Sequence, residues 1–268
     1  MTRLSLLLLP LLLAACGTTP PPRLPATVEQ ARTSDSDARR ALTDGDKIRA
    51  RKYFTKTLAL QQSLDDTAGA ATTMINLATV AHQLRDDEAA LAWLDSILQE
   101  KANIYPNGAR LTAAFRKAVI LADKPLPAEA GAILQVAEQL CEDKCESRFS
   151  INVLRARLLV LNGEMKAARS MAIEVGSQAA AGREERANAL RVAAAAEESM
   201  GLMTDALQHY GSALQLDKAL GLSSRIGDDL SGLARVSAKL GHEREAVEYS
   251  RRALLVKESS GKMNDVIQ

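Results

Sequence analysis

An alanine pattern that recurs every 38 to 40 residues constrains this chain more than any other feature. The six positions that anchor the register are Gly45, Arg85, Pro125, Gly163, Gly201 and Gly241. Five residues after each anchor and seven residues before it, all twelve positions hold alanine, although alanine makes up only about one residue in six. A self-similar period of this length indicates a repeat architecture.

Each repeat predicts two helices joined by a tight turn. After the anchors, apolar residues follow a 3.6-residue spacing, as in Ala90, Leu91 and Leu94. Small residues at two fixed places let the two helix backbones approach closely. Glycine at an anchor, as at Gly163 and Gly201, closes the preceding helix in a left-handed conformation. Because one hairpin cannot bury its own apolar face, neighbouring hairpins must stack.

The pattern resembles the tetratricopeptide repeat (TPR). The stretches "NLATVAHQLRDDEAALAWLDSIL" from Asn76 and "GLMTDALQHYGSALQLD" from Gly201 carry most of the likeness. The resemblance implies an all-α, right-handed helical-hairpin solenoid of about six TPR-like units over residues 31–257. The units are longer than the usual 34 residues and lack the usual first-helix tryptophan, while Arg85 and Pro125 replace the turn glycine.

The N-terminus predicts export and lipid anchoring. One basic residue followed by an apolar run from Leu4 to Ala15 is typical of a secretory signal, which we place at residues 1–15. The apolar run is too short to span a bilayer. The sequence Leu-Ala-Ala-Cys ending at Cys16 resembles the bacterial lipobox, which implies diacylglycerol and palmitate-type chains on Cys16. Gly17 replaces the aspartate that retains lipoproteins in the inner membrane. We therefore expect an outer-membrane anchor facing the periplasm, with residues 16–30 as a proline-rich linker.

The charge pattern argues against nucleic acid. The chain carries 34 Lys and Arg residues against 33 Asp and Glu residues, and no basic block stands out.

Cys141 and Cys145 form a C-x3-C pair between two predicted repeats. Such a pair can bind a metal, react with thiols or close a disulfide. Once Cys16 carries lipid, an even cysteine count in an oxidising compartment favours the disulfide.

No motif predicts an enzyme, a metal site or a cofactor. "HEREA" from His242 has Ala246 where a zinc protease has its second histidine. Adjacent carboxylates diverge on a helix, so we expect solvated turns and helix starts at the pairs Asp86-Asp87, Glu184-Glu185 and Asp228-Asp229.

The resemblance to the TPR further implies that the first helix of each unit lines a concave, partner-binding face. The positions that this register places there are Arg39, Ile75, Thr79, His82, Phe115, Val119, Arg157, Arg191, Arg235 and Lys239. Arginines on one face would suit an acidic or carboxylate-ended segment. The alternative is that these are solvated positions without a partner. Phe54, Trp93 and Tyr210 are predicted to lie in the core.

The C-terminal end is predicted to be open. The last unit ends near Lys257, and residues 258–268 are too short and polar for a full capping helix. We therefore expect Leu254, Leu255 and Val256 to be partly exposed and to support docking of a partner or of a second copy.

Three classes of function remain at this stage. The leading hypothesis is a periplasmic scaffold or adaptor that assists assembly of an envelope machine, such as a pilus, a secretion pore or a cell-wall enzyme complex. The alternative is a small-molecule or glycan binding protein that uses the concave face. An enzyme with an unfamiliar site is the third.

Overall fold

The computed structural model of the chain describes residues 24–99, 104–124, 126–142 and 145–266. The signal sequence, Cys16 and most of the predicted linker lie outside the described residues, as does the anchor position Pro125. In the described part the chain forms twelve helices and no strand. The fold class predicted from the repeat, an all-α stack of helical hairpins, is therefore confirmed.

The helices pair in chain order into six hairpins. Their bounds are α1 (Ala26–Thr43), α2 (Lys47–Ser63), α3 (Thr67–Gln83), α4 (Asp87–Leu98), α5 (Asn107–Asp123), α6 (Pro127–Leu140), α7 (Arg148–Leu161), α8 (Met165–Ser177), α9 (Arg183–Met200), α10 (Met203–Leu220), α11 (Ser223–Lys239) and α12 (Glu243–Val266). Odd-numbered helices are the first helices of the hairpins, and even-numbered helices are the second.

Local sequence explains where the helices begin and end. The carboxylates of Asp46, Asp66 and Asp86 accept hydrogen bonds from backbone N–H groups in the first turns of α2, α3 and α4. At the anchors, Gly201 adopts a φ of 80° at the end of α9, as the glycine positions predict. Arg85 takes the same left-handed conformation, with a φ of 64°, although it has a side chain. The turn geometry therefore survives the loss of its glycine.

The repeat alanines form the spine of the core. All twelve are buried, and ten of them are no more than 1% exposed; the two exceptions, Ala234 and Ala246, belong to the last hairpin. Phe54 and Tyr210 are buried as predicted, and Trp93 packs partly buried against the core.

Contacts between hairpins separate the helices into an inner and an outer layer. From α3 onward each odd-numbered helix contacts the next odd-numbered helix, whereas in the described part of the chain no even-numbered helix contacts another. The first helices therefore lie closer together and form the concave side, and the second helices form the convex side.

Two predicted boundaries differ from the structure. Helix α1 begins at Ala26, within the predicted linker, because the last proline is Pro25 and the following residues, with Glu29 in the first turn, favour a helix. Helix α12 continues to Val266, through most of the predicted tail. Because no proline interrupts that polar stretch, helix α12 continues through most of it.

Candidate functional site

A groove on the concave side is the candidate site. It encloses about 760 Å³ and is lined only by α5, α7, α9 and α11, the first helices of four consecutive hairpins. The predicted partner-binding residues that line it are Phe115, Val119, Arg157 and Arg191. We call this surface the concave groove.

Three of the four helices that line the concave groove, α5, α7 and α9, supply its apolar part. Phe115 and Val119 belong to α5, Val153 and Val160 to α7, and Val192 to α9. Each is partly buried, so its outer surface remains accessible from the groove. Such a surface can bury the apolar side chains of a bound segment.

Arg157 is already paired within the protein. Its Nη2 donates to Asp123 Oδ1 at 2.6 Å and to the carbonyl oxygen of Ala122 at 3.3 Å, both at the end of α5. The guanidinium therefore bridges two neighbouring first helices. It does not present a free charge to a ligand.

Arg191 is held more deeply. Its Nε donates to Asp229 Oδ1 at 2.7 Å, Nη1 donates to Asn188, and Nη2 donates to Asp217. Asp217 and Asp229 are fully buried. Burial raises the pKa of Asp229 to about 7, although the bond from Arg191 opposes this, and the neighbouring Asp217 carboxylate raises it further.

Arg235 and Lys239 share one carboxylate, that of Glu198. Arg235 Nη2 and Lys239 Nζ each lie 3.0 Å from a Glu198 oxygen. Partial burial disfavours the charge on Glu198, but these two hydrogen bonds outweigh burial and lower its pKa. Burial raises the pKa of the adjacent Tyr210 to about 12, and Glu198 adds to that increase.

The predicted residues of the N-terminal half are not brought together into a site. Arg39 pairs with Asp35 one turn earlier, and Ile75 is buried in the core. Thr79 accepts a hydrogen bond from Arg116 Nη1 at 3.0 Å. His82 Nδ1 lies 2.7 Å from Asp87, and this bond lowers the pKa of Asp87.

The arginines expected to recruit an acidic segment are paired with carboxylates within the protein, so such a segment would have to compete with those carboxylates, and the expectation stays a prediction. Arg157, Arg191 and Arg235 are neutralised by carboxylates of adjacent helices. The expectation that adjacent carboxylates are solvated fails at Asp229, which is 0% exposed and paired with Arg191.

The charges that remain available in the concave groove are mostly negative. Glu184, Asp228 and Arg225 are exposed and have no ion-pair partner among the described residues. Glu185 accepts a hydrogen bond from Ser150 Oγ at 3.2 Å. We did not predict a role for these residues from the sequence. The repeat register could have placed Asp228 on the concave side, since it lies thirteen residues before its anchor, as the groove residue Asn188 does before Gly201.

The described residues contain no cluster of three or more potential metal ligands. His242 of the "HEREA" stretch immediately precedes α12, and its Nδ1 lies 3.6 Å from Glu245 Oε2 in the first turn of that helix. Within those same residues no helix combines the length and the apolar character needed to cross a membrane.

The structure joins Cys141 and Cys145 by a disulfide, with their Cα atoms 5.2 Å apart. The bond lies between the end of α6 and the start of α7, at the junction of two hairpins. It links residues close in sequence and lies outside the concave groove.

Comparison with solved structures places the same fold in several proteins of low sequence identity. PilW, described as a widely conserved type IV pilus biogenesis factor, aligns with a TM-score of 0.61 and 16% identity over 89% of this chain and 98% of its own. A signal-transduction ATPase from Pyrococcus horikoshii with a tetratricopeptide repeat sensor aligns with a TM-score of 0.60 and 14% identity over 90% of this chain and 37% of its own. These similarities show the TPR-like hairpin fold.

A protein of Podosopora anserina related to kinesin light chain, with nearly identical TPR-like repeats, gives a TM-score of 0.54 at 16% identity over 71% of this chain and 97% of its own. No protein-family model matches the sequence. No curated protein matches it either.

Proposed function

We propose that this protein is an envelope adaptor that holds a segment of another protein in the concave groove. The observation that carries the proposal is the groove itself, in which four first helices place partly buried valines and a phenylalanine beside exposed charges that have no ion-pair partner in the described part of the chain. Clefts of this kind, with an apolar floor and a few polar groups at the rim, are typical of binding sites.

The proposed segment is apolar and carries a basic residue. With Arg157 and Arg191 neutralised internally, Glu184, Glu185 and Asp228 outweigh Arg225 at the groove. A lysine or arginine of the segment would meet this negative rim, while its apolar neighbours would contact Val153 and Val160. Rim charges of this kind contribute more to selecting the partner and to the association rate than to affinity.

The sequence supports a location for this activity. Cys16 in a lipobox-like context would carry acyl chains, and two or three such chains hold a protein stably on a bilayer. The proline-rich stretch that follows would set the solenoid off the membrane. One protein of the same fold, PilW, is described as a pilus biogenesis factor, so pilus assembly is one of the machines in which to look for the partner.

The groove is tested by photo-crosslinking of the full chain in cells. A benzophenone amino acid replaces Leu161, which lines the groove and is 47% exposed at the end of α7. The matched control replaces Leu220, which is 37% exposed at the end of α10 and outside the groove. We expect a specific envelope protein to be captured from position 161 only, through an apolar segment with a basic residue. Equal capture from both positions would contradict the proposal.

The anchor is tested separately with Cys16→Ser. We expect labelled palmitate to enter the wild-type chain and not the variant, and the wild type alone to sediment with membranes. Equal labelling of both chains would contradict lipidation at Cys16 and leave the groove hypothesis intact.

A further inference from the structure

The outermost helix of the stack, α12, exposes large apolar side chains. Val247 is 69% exposed, Leu254 57% and Leu255 48%. Val256 is partly buried and packs against the core of the last hairpins. The three exposed residues lie on the side of α12 that faces away from α11.

The repeat register shows what this side of α12 is built to contact. Leu254 lies eight residues after a repeat alanine, as do Leu58 on α2 and Leu214 on α10. Those two leucines are only 5% and 7% exposed. Helices α3 and α11, the first helices of the next hairpins, pack against α2 and α10. Leu254 therefore occupies a position that a following helix covers elsewhere in the stack.

Val247 repeats the same relationship. It corresponds to Leu207, which packs in the core formed by α9 to α12. Ala246, beside Val247, is the most exposed of the twelve repeat alanines, at 9%. The exposed side of α12 thus carries apolar side chains at Val247, Leu254 and Leu255, with the exposed pair of Glu248 and Arg251 between them.

From these contacts we infer that α12 packs against α12 of a second copy of the chain, antiparallel and about a two-fold axis at Arg251. This register places Val247 of one copy against Leu255 of the other. It also places Arg244 against Glu258, so that the charges at the two ends of the contact are complementary. Neither Arg244 nor Glu258 has an ion-pair partner among the described side chains.

The residue on the axis carries its own counter-charge. Arg251 Nε and Nη2 lie 3.0 and 2.9 Å from the two carboxylate oxygens of Glu248. Each copy therefore brings a neutral pair to the axis. Two arginines can approach there without burial of a net charge.

At the opposite end of the stack the chain exposes Leu24, just before α1, and Ile48, at the start of α2, but helix α1 itself offers little apolar surface. From Glu29 to Thr43 on α1, every exposed side chain is polar. A head-to-tail contact would place the apolar side of α12 against this polar helix. A two-fold contact uses α12 twice and closes after two copies, as isologous interfaces do.

Disulfide crosslinking of the full chain in membranes tests the inference. Arg251→Cys places a thiol on the proposed axis, and Glu245→Cys places one at an exposed position on another side of α12. We expect a crosslinked dimer on non-reducing gels for Arg251→Cys and at least tenfold less for Glu245→Cys. Both variants retain Cys16, Cys141 and Cys145, so those cysteines cannot account for the difference.

Two further sets of variants test the contact itself. Replacement of Leu254 and Leu255 by glutamate in the Arg251→Cys chain should abolish the dimer, and because both leucines are exposed the thermal midpoint should stay within a few degrees. Arg244→Glu should weaken crosslinking, and adding Glu258→Arg should restore it. A monomer for Arg251→Cys, equal crosslinking at the two positions, or no restoration by the reciprocal charge exchange would overturn the proposed contact.

Discussion

Arg191 Nε on α9 donates a 2.7 Å hydrogen bond to Asp229 Oδ1 on α11, one repeat further along the chain. The same guanidinium donates to Asp217 on α10, so one arginine serves two fully buried carboxylates. Two buried carboxylates beside one cation favour retention of a proton between them. This accounts for the pKa of about 7 at Asp229.

This arrangement predicts an unusual pH dependence of stability. An unfolded aspartate titrates near pH ~3.9. Between about pH 4 and about pH 7 the folded chain therefore binds a proton that the unfolded chain has lost, and the free energy of unfolding attributable to this site falls as the pH rises. Between pH 5 and pH 8 the free energy of unfolding of Asp229→Asn should rise by about 1–3 kcal/mol relative to that of the wild type. Urea denaturation at each pH measures both values. Asp228→Asn, at the exposed neighbour, is the control, and equal pH profiles for all three chains would contradict this account.

Neighbouring glutamates on α9 predict a contrast between an ion pair whose carboxylate is fully buried and one whose cations are half exposed. Glu197 is 0% exposed and accepts a 2.7 Å bond from Arg169 Nε, with His209 Nδ1 also 2.7 Å away. Glu197→Gln removes the fully buried charge that Arg169 and His209 contact and should cost about 2–4 kcal/mol, although Arg169 keeps its 3.2 Å bond to Asp205. Glu198→Gln should cost less than about 1 kcal/mol, because Arg235 and Lys239 can return to water. Equal destabilisation in chemical denaturation would show that the two sites do not differ in this way.

A third prediction concerns two glycines in adjacent helices. A Cβ atom on Gly232 of α11 would lie 2.6 Å from Cε1 of the buried Tyr210 ring, whereas one on Gly211 of α10 would meet nothing within 4 Å. Gly232→Ala should therefore destabilise the chain by about 1–3 kcal/mol. Gly211→Ala should stabilise it by about 0.5–1 kcal/mol, because alanine loses less backbone entropy in a helix. Opposite shifts of the thermal midpoint are expected, and a stabilised Gly232→Ala chain would refute the close contact.

The bond between Cys141 and Cys145 predicts a modest contribution to stability. Since it closes a short loop, the chain-entropy model limits its contribution to about 2 kcal/mol. Mass spectrometry after alkylation under denaturing conditions should find these two thiols modified only when a reductant precedes the alkylating reagent. Modification of both without reductant would contradict a disulfide in the mature protein.

The sequence predicted the hairpin stack because the backbone geometry of each hairpin requires particular residues at fixed positions of the repeat. Alanine is needed wherever two helices approach closely, and all twelve positions are buried. The anchors were equally informative, since Gly201 and Gly241 have the positive φ that their turns require. The ends of the stack were not predictable in this way, because polar residues at both termini suit a helix as well as a linker.

The pairing of the groove charges cannot be predicted from the sequence of any single helix, because each pair joins two helices. Arg157 and Asp123 are 34 residues apart, and Arg191 and Asp229 are 38 residues apart. Residues separated by about one repeat lie side by side on adjacent first helices. Opposite charges at that spacing therefore predict an internal ion pair, and charges without such a counterpart predict the surface open to a partner.

The last prediction concerns the exposed charged residues of the concave groove. Glu184 and Asp228 are exposed at the groove with no ion-pair partner among the described residues, so reversing both should leave the fold intact. Glu184→Lys with Asp228→Lys should weaken binding of the captured segment about five- to tenfold, and less so at high salt because exposed charges are screened. Arg225→Glu should strengthen binding of the same basic segment.

The matched control is Glu129→Lys with Glu174→Lys, which makes the same change of net charge at exposed positions on the outer helices α6 and α8. Fluorescence anisotropy of a labelled peptide with the sequence of the captured segment measures all of these affinities. Because the control alters overall charge without altering the groove, an equal loss of affinity in the two double variants would attribute the effect to net charge. A loss confined to Glu184→Lys with Asp228→Lys, together with the gain from Arg225→Glu, would locate the basic residue of the segment at the rim formed by α9 and α11.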